Sequence, residues 1–238
     1  MIYVVGLGPG NQMCRTTAAT EAIRRADILV GYAAYIDLTR DEFPEKPVFE
    51  NGMTGEVERC REALRLSREG KTVAVMCSGD ASVYGMANLI LEIAGEADGV
   101  EIVPGVTAAL AASAALGAPL SGDLAIVSLS DLLTPWAVIE KRLDAVGLGD
   151  FPVALYNPAS RSRTDHLQRA VDILLRYRHG GTPCGWARNI GRPGQEQKIL
   201  TLCELRDEKV DMFTTVVVGN SQTVLKHGRL ITPRGYRT

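Results

Sequence analysis

Aromatic residues are scarce in this chain, 5% of 238 residues, so its core must be built from small aliphatic side chains packed between helices and strands. Its five cysteines, Cys14, Cys60, Cys77, Cys184 and Cys203, stand far apart, with no CxxC pair and no Cys/His cluster. That spacing signals neither a zinc site nor a disulfide framework, and isolated cysteines in apolar surroundings read as inert core residues. The net charge of −2 comes without a basic stripe, which argues against a nucleic-acid partner. No apolar run reaches the roughly 18 residues of a membrane span, and the first residues enter a strand without a signal segment. The expectation is a soluble, cytoplasmic protein with no membrane partner and no metal site of its own.

What is present is alternation. "YVVGLG" is a short buried strand ended by glycine, and "TTAATEAIRRA" comes next with Ala19, Ala22, Ile23 and Ala26 on one helical face. "DILVGY", "TVAVMCSGD" and "VEIVPG" read as further strands. "EVERCREALRLSREGK", closed by Gly70, "ASVYGMANLILEIAG", with Val83, Met86, Ala87, Ile90 and Ile93 on one stripe, and "VTAALAASAALG", ending at Gly117, read as helices. "APLSGD" (118–123) reads as a linker. Beyond it come strand "LAIVSLS", helix "PWAVIEKRLDAV", strand "FPVALYNP" and helix "RTDHLQRAVDILLRYR". Three β-like runs then succeed one another without a long helix: "CGWARNI", "QKILTLCEL" and "FTTVVVGN". The fold class is α/β, with a largely parallel sheet in an N-terminal domain (1–118), a mixed sheet in a C-terminal domain (122–238), and a cleft expected between the two lobes.

The glycines of "GLGPG" (6–10) raise the question of a ligand. They do not make a dinucleotide site: GxGxxG would need glycine where Asn11 stands, and the second strand ends in "VGY" without the acidic ribose partner. No GxxxxGK[ST] phosphate loop exists either. Yet "CSGDASVYG" (77–85), "VPGVTAA" (103–109), "LYNPASRSR" (155–163) and "WARNIGRPG" (186–194) also sit at expected strand ends, where open α/β sheets bind ligands. Small residues there let backbone N–H and C=O groups reach a flat or extended molecule.

"GLGPG", "SGD" followed by "YG", and "PGVTAA", in that order, resemble the tetrapyrrole methylases, a two-domain methyltransferase family that uses S-adenosylmethionine. "VGYAAYIDL", "SLSDLLTPW", "LYNPASRSR", "ARNIGRPGQ", "VVGNSQT" and "ITPRGY" resemble, more narrowly, the precorrin-3B C(17)-methyltransferase (cobalt-factor III methyltransferase) branch of cobalamin synthesis. The resemblance runs from Tyr3 to Tyr236. It implies a methyl donor held at its methionine end by Gly79, Asp80 and Val83, flanked by Thr107 and Ala108, bordered by Pro9, and approached at the adenosine by Asn157, Ala187, Asn189, Thr215 and Val216. It implies a polycarboxylate tetrapyrrole lying against Gly8 and Gly10. Arg161, Arg163, Arg188 and Arg192 lie in expected strand-end turns, and arginine forks match carboxylates in two-point contacts.

In this branch methylation of carbon 17 accompanies contraction of the macrocycle, which calls for proton transfer. The position where other members of the superfamily carry a proposed aspartate base reads Tyr32 here, so Tyr32 and Tyr35 are the catalytic candidates. His166, one turn beyond "SRSRT", reads as structural. Asp80 and Thr107 each have a second reading, as helix caps. A homodimer is expected because relatives usually are dimers, with "FTTVVVGN" in the β-rich second lobe as a source of buried surface. The competing readings are another methylase of the superfamily, such as a precorrin-2 or precorrin-4 type, and, from a different class, a non-catalytic tetrapyrrole carrier.

Overall fold

In the computed structural model, described over residues 1–236, Met1–Ala108 form one unit and the chain from Ala109 onward a second. The first is built on β1 (Ile2–Gly6), β2 (Ile28–Tyr32), β3 (Val48–Asn51), β4 (Val73–Cys77) and β5 (Val100–Val103). These make a sheet of order β3-β2-β4-β1-β5 in which every pairing is parallel. Period-two alternation along the strands feeds two cores. Val4, Val73 and Val75 meet Cys60, Ala63 and Leu64 of α3 (Glu56–Arg68) and Ala87 and Ile90 of α4 (Ala87–Ile93). Val5, Ala74 and Met76 meet Ala19, Ala22 and Ile23 of α1 (Thr17–Arg25) on the other face. The α1 stripe is the one expected, and Thr16 caps the helix by accepting the Ala19 N–H at 3.1 Å. Gly70 closes α3 at φ +91°. A short helix, α2 (Ala33–Ile36), continues directly from β2.

The expected helix from Ala81 onward is shorter than its pattern. It starts only at Ala87, because Tyr84 takes φ +54° and Gly85 comes next, so Val83 lies in an irregular turn rather than on the helix stripe. Asp80 is therefore not the cap of that helix; it serves the turn itself.

The second unit opens with α5 (Ala108–Leu116), whose Ala109, Ala112 and Leu116 are buried against Ala154, Ala187 and Val217. Its main sheet contains β7 (Ala125–Ser128), β8 (Val153–Tyr156), β9 (Pro183–Arg188), β10 (Glu196–Thr201) and β11 (Thr214–Val218) in the order β10-β9-β11-β8-β7. Only β7 and β8 pair in parallel; the others are antiparallel. Helices α6 (Trp136–Leu148) and α7 (His166–Leu174) supply Ile139, Leu143, Val171 and Leu174 to the core on the face opposite α5. The "QKILTLCEL" run ends as a strand at Thr201, where a Thr201/Glu204 capping box starts α8 (Leu202–Leu205).

Residues 118–123 do not behave as a free linker. Gly117 and Ala118 form β6 and pair with β13 (Arg229–Ile231), itself in a hairpin with β12 (Val224–Lys226). Thr232 Oγ1 donates to the Pro119 carbonyl at 2.6 Å, and the Ser121 hydroxyl donates to the Thr232 carbonyl. The division of the chain thus falls at Ala108, ahead of the expected segment, because α5 packs on β8, β9 and β11 and β6 pairs with β13. The "FTTVVVGN" strand, β11, lies between β9 and β8 with Thr214–Val218 all buried, so its side chains cannot be the surface of a dimer. Cys60, Cys77 and Cys184 are buried core thiols, and burial pushes Cys77 up to about 12. Among the described residues no helix is long and apolar enough to cross a membrane, and no group of three His, Cys, Asp or Glu could hold a metal.

Candidate active site

Parallel strands place all their carboxyl ends on one edge, so the turns after β4, β1 and β5 are neighbours in the first unit. Their glycines let backbone approach backbone. Gly8 and Gly79 exchange both hydrogen bonds, Gly8 N–H to Gly79 O at 2.9 Å and Gly79 N–H to Gly8 O at 2.8 Å. A Cβ on Gly105 would sit 2.6 Å from the Gly6 carbonyl oxygen and overlap that of Gly79. Gly8, at φ +75°, has the Cys14 carbonyl where its own Cβ would be. The "GLGPG" glycines therefore serve, first, to weld three turns together.

Asp80 locks this weld. One carboxylate oxygen accepts from the Ser82 N–H (2.8 Å) and hydroxyl (2.5 Å); the other accepts from the Gly105 N–H at 2.9 Å. Burial works to raise its pKa, but the donors at Ser82, Gly105 and Val83 outweigh it and hold the carboxyl below its ordinary value. Gly79, at φ +68°, leaves a cradle that a Cβ would fill, bordered at 3.7 Å by Thr107 Cα and Ala108 N. Tyr84 projects from the same turn, 56% exposed, in a left-handed conformation that a bulky residue adopts only when its surroundings force it.

At the next strand end Tyr32 closes β2 and Tyr35 lies one turn on, with the rings edge to face at 5.2 Å. Pro9 is buried and Gly10 half-buried. Sequence reasoning missed the pair that carries the chain from this loop into α1: the enclosed Arg15 guanidinium binds Glu42 and lies over the Phe43 ring. Nothing in the local sequence signals a partner 27 residues away.

In the second unit the mixed sheet brings the carboxyl ends of β7, β8 and β9 and the amino end of β11 to one edge. Thr215 and Ala187 are cross-strand partners, and both face the side covered by α5. On that face the Tyr156 hydroxyl accepts the Ala109 N–H at 2.6 Å, using a first-turn donor of α5 that has no partner within its own helix. Asn157 and Asn189 end β8 and β9 at φ +53° and +50°, a conformation that asparagine tolerates. Asn157 Nδ2 also donates to Ser128 Oγ at 3.0 Å, tying the turns after β8 and β7.

Alternation separates the remaining candidates. Val216 points into the opposite core, with α6 and α7, so only its backbone is available at the Thr215 face. Arg188, one residue from Ala187, also points away from α5, and its Nε donates to Asp211 at 2.8 Å. Arg161 is exposed. Arg163 is half-buried with its Nε enclosed, and its charge bears on Asp131. The tyrosines, the Gly79–Asp80 and Thr107–Ala108 turns, and the Ala187–Thr215 pair are thus brought together within their own units; Arg188 and the Val216 side chain are not.

Both halves are α/β units with small-residue turns at their strand ends. Residues 1–206 match the family model for Tetrapyrrole (Corrin/Porphyrin) Methylases. A Salmonella typhimurium protein named "Probable cobalt-factor III C(17)-methyltransferase" is 46% identical over 99% of both chains. The Priestia megaterium "Cobalt-factor III methyltransferase" is 42% identical over 99% of this chain and 45% of its own length. Among solved structures, that of the methyltransferase CobJ superposes with a TM-score of 0.88 at 35% identity, covering 98% of this chain and 99% of that one. The chain belongs to the tetrapyrrole methylases. Methyl transfer from S-adenosylmethionine is the family's chemistry, and the Thermus thermophilus uroporphyrin-III C-methyl transferase, alike in fold, was solved with S-adenosylhomocysteine bound.

Proposed function

We propose that this chain methylates carbon 17 of precorrin-3B or cobalt-factor III, contracting the macrocycle to precorrin-4 or its cobalt form in cobalamin biosynthesis. The observation that carries the reading is the likeness, unbroken along both chains, to the Salmonella protein of that name. The residues present fit a sulfonium donor. The cradle at Gly79 is walled by the backbone of Val106, Thr107 and Ala108, and methyl transfer asks for alignment in a dry site rather than for a charged catalyst at sulfur.

When bound, S-adenosylmethionine supplies an electrophilic methyl group. The welded turns give Gly79, Asp80 and Val83 a fixed backbone against which its methionine end is oriented, with Thr107 and Ala108 as the flanking wall and Pro9 stiffening the adjoining loop. Ala187 and Thr215, with the Asn157 and Asn189 turns and the Val216 backbone, accept the adenosine. Gly8 and Gly10 border the macrocycle. Arg161, which is exposed, and the half-buried Arg192 are the arginines we favour for meeting substrate carboxylates, since Arg188 holds Asp211 and the Arg163 charge bears on Asp131. Tyr32 and Tyr35 are the groups positioned to hold or move a proton during contraction. The protein works as a cytoplasmic homodimer whose interface lies outside β11.

The test is methyl transfer to metal-free and cobalt-loaded trimethylated tetrapyrroles, read by mass and absorption spectrum, with S-adenosylhomocysteine binding measured by calorimetry. Methylated, ring-contracted product is expected from one of the two substrates. Tetrapyrrole binding without S-adenosylhomocysteine binding would mark a carrier instead, and methylation at another carbon would mark another member of the family.

A further inference from the structure

The turn between β4 and α4 is fixed at both of its ends. On one side Asp80 accepts from the backbone N–H groups of Ser82 and Val83 and from the Ser82 hydroxyl. On the other the Ala87 N–H donates to the Ala81 carbonyl at 3.1 Å, and Gly85 packs so closely on that carbonyl that a Cβ would stand 2.3 Å from its oxygen. This closure leaves Tyr84 at φ +54°. Glycine or asparagine takes such a conformation at little cost, whereas a tyrosine is strained in it. The ring adds little to the core, because Tyr84 is 56% exposed and the packing beneath is made by Cys77, Ala81, Ala87 and Ile90. A strained residue that its own fold does not need points to a use at the site.

Strand order says what crosses this turn. β4 stands between β2 and β1 in the sheet of the first unit. The loop after β1 carries Gly8 and Gly10, which the proposed function sets against the macrocycle; the end of β2 carries Tyr32 and leads to Tyr35, which it sets to move a proton during contraction. Neighbouring strands lie about 4.8 Å apart, so these two strand ends are separated by about 10 Å. A molecule that meets both must pass over the turn after β4, where Tyr84 is the exposed aromatic residue. A broad, flat ring system packs well on an aromatic side chain.

We propose that the Tyr84 ring packs on the bound tetrapyrrole between these two contacts, and that the left-handed backbone is kept because it presents the ring there. The inference rests on the proposed tetrapyrrole substrate and adds to it a substrate contact within the first unit. It also gives the strain at Tyr84 a reason: the conformation disfavours the free fold slightly and is retained for what the ring does when substrate is present.

The test compares wild type with Tyr84→Phe and Tyr84→Asn, measuring the thermal midpoint without ligand, S-adenosylhomocysteine affinity, and KM and kcat for the tetrapyrrole that wild type turns over. Asparagine tolerates the left-handed conformation, so Tyr84→Asn should melt at or above the wild-type temperature. Its tetrapyrrole KM should rise about tenfold, the loss expected of one aromatic contact with its buried area. Its S-adenosylhomocysteine affinity should stay at the wild-type value, since Asp80 and the packed glycine turns are untouched. Tyr84→Phe keeps the ring and should stay within about twofold of wild type in KM. A Tyr84→Asn protein that melts several degrees lower overturns the inference, because the ring would then serve the fold. So does a Tyr84→Asn protein with wild-type KM, or one that loses cofactor affinity along with it. A Tyr84→Phe variant as impaired as Tyr84→Asn overturns the ring contact as well. If wild type methylates no tetrapyrrole, the substrate reading falls and this inference with it; an active wild type separates the two failures.

Discussion

Replacing Gly105 with alanine tests the weld most directly. The new methyl would stand 2.6 Å from the Gly6 carbonyl oxygen and overlap the Gly79 oxygen, while its own N–H is committed to Asp80 at 2.9 Å. Ordinary contact begins near 3.4 Å, so the end of β1 must move by about 0.8 Å, and the turn after β4 by more than that, away from the turn after β5. Neither obstacle is a side chain that can rotate; both are backbone acceptors at the ends of central strands. Overpacking of this kind costs about 2–3 kcal/mol, and at roughly 2–4 °C per kcal/mol for a chain of this size the thermal midpoint should fall by about 4–12 °C. Because the Gly79 cradle is one of the displaced parts, S-adenosylhomocysteine affinity should fall at least tenfold. Displacing reacting groups by close to an ångström costs up to about a hundredfold in rate, so kcat should fall as well. Gly122→Ala is the control, for nothing lies within 4 Å of its Cβ position. Differential scanning fluorimetry, calorimetric titration and steady-state methyl transfer read the three quantities. If Gly105→Ala melts within a degree of Gly122→Ala and binds S-adenosylhomocysteine equally well, the tight packing of these turns is not what shapes the cofactor site.

Ala108→Phe puts a ring against the Gly79 cradle and should abolish S-adenosylhomocysteine binding in a protein that still folds; unchanged calorimetric affinity would place the cofactor elsewhere. Asp80→Asn turns an amide donor toward a backbone N–H and should lower the thermal midpoint at pH 7. Since the Asp80 carboxyl is held below its ordinary value, its contribution is present above the unfolded pKa of about 3.9 and is lost as pH falls through the folded value. The gap between wild type and variant should therefore narrow below about pH 4, and a gap that widens there contradicts the assignment. Arg161→Ala should lower kcat/KM for the tetrapyrrole about tenfold, an effect that salt reduces, if a charge-assisted contact of ~1.4 kcal/mol is lost; Arg188→Ala, which breaks the Asp211 pair instead, should not change the salt dependence of substrate binding.

The parts of the fold that were legible in the sequence were those governed by a single periodicity. Val4, Val73 and Val75 against Val5, Ala74 and Met76 is period-two alternation, and Ala19–Ala22–Ile23 is the helical stripe; both depend only on neighbours in the chain. What escaped depended on a residue's own conformation or on a distant partner. Tyr84 at φ +54° delays α4 by six residues from where its apolar pattern begins at Ala81, and no propensity announces a left-handed tyrosine. Residues 118–123 have a linker's composition, but strand pairing with β13 and the Thr232 contacts, more than a hundred residues away in the chain, pin them.

The arginines make the same point for the site. Four of them stand in or beside turn motifs, and the sequence offers no ground for choosing among them. The alternation of β9 settles one: Ala187 faces α5, so Arg188 must face the other way, and there Asp211, 23 residues on, holds it at 2.8 Å. Arg163 is engaged for a different reason. Its turn is closed by paired Ser160–Arg163 backbone hydrogen bonds at 3.0 and 3.3 Å, which turn its side chain inward, Nε enclosed, within range of the Asp131 carboxylate. Arg161, in that same turn, is exposed. Of two arginines two positions apart, one lies within range of the Asp131 carboxylate and the other stays exposed, so on the proposed reading removing Arg161 should weaken recognition of substrate carboxylates more than removing Arg163 does.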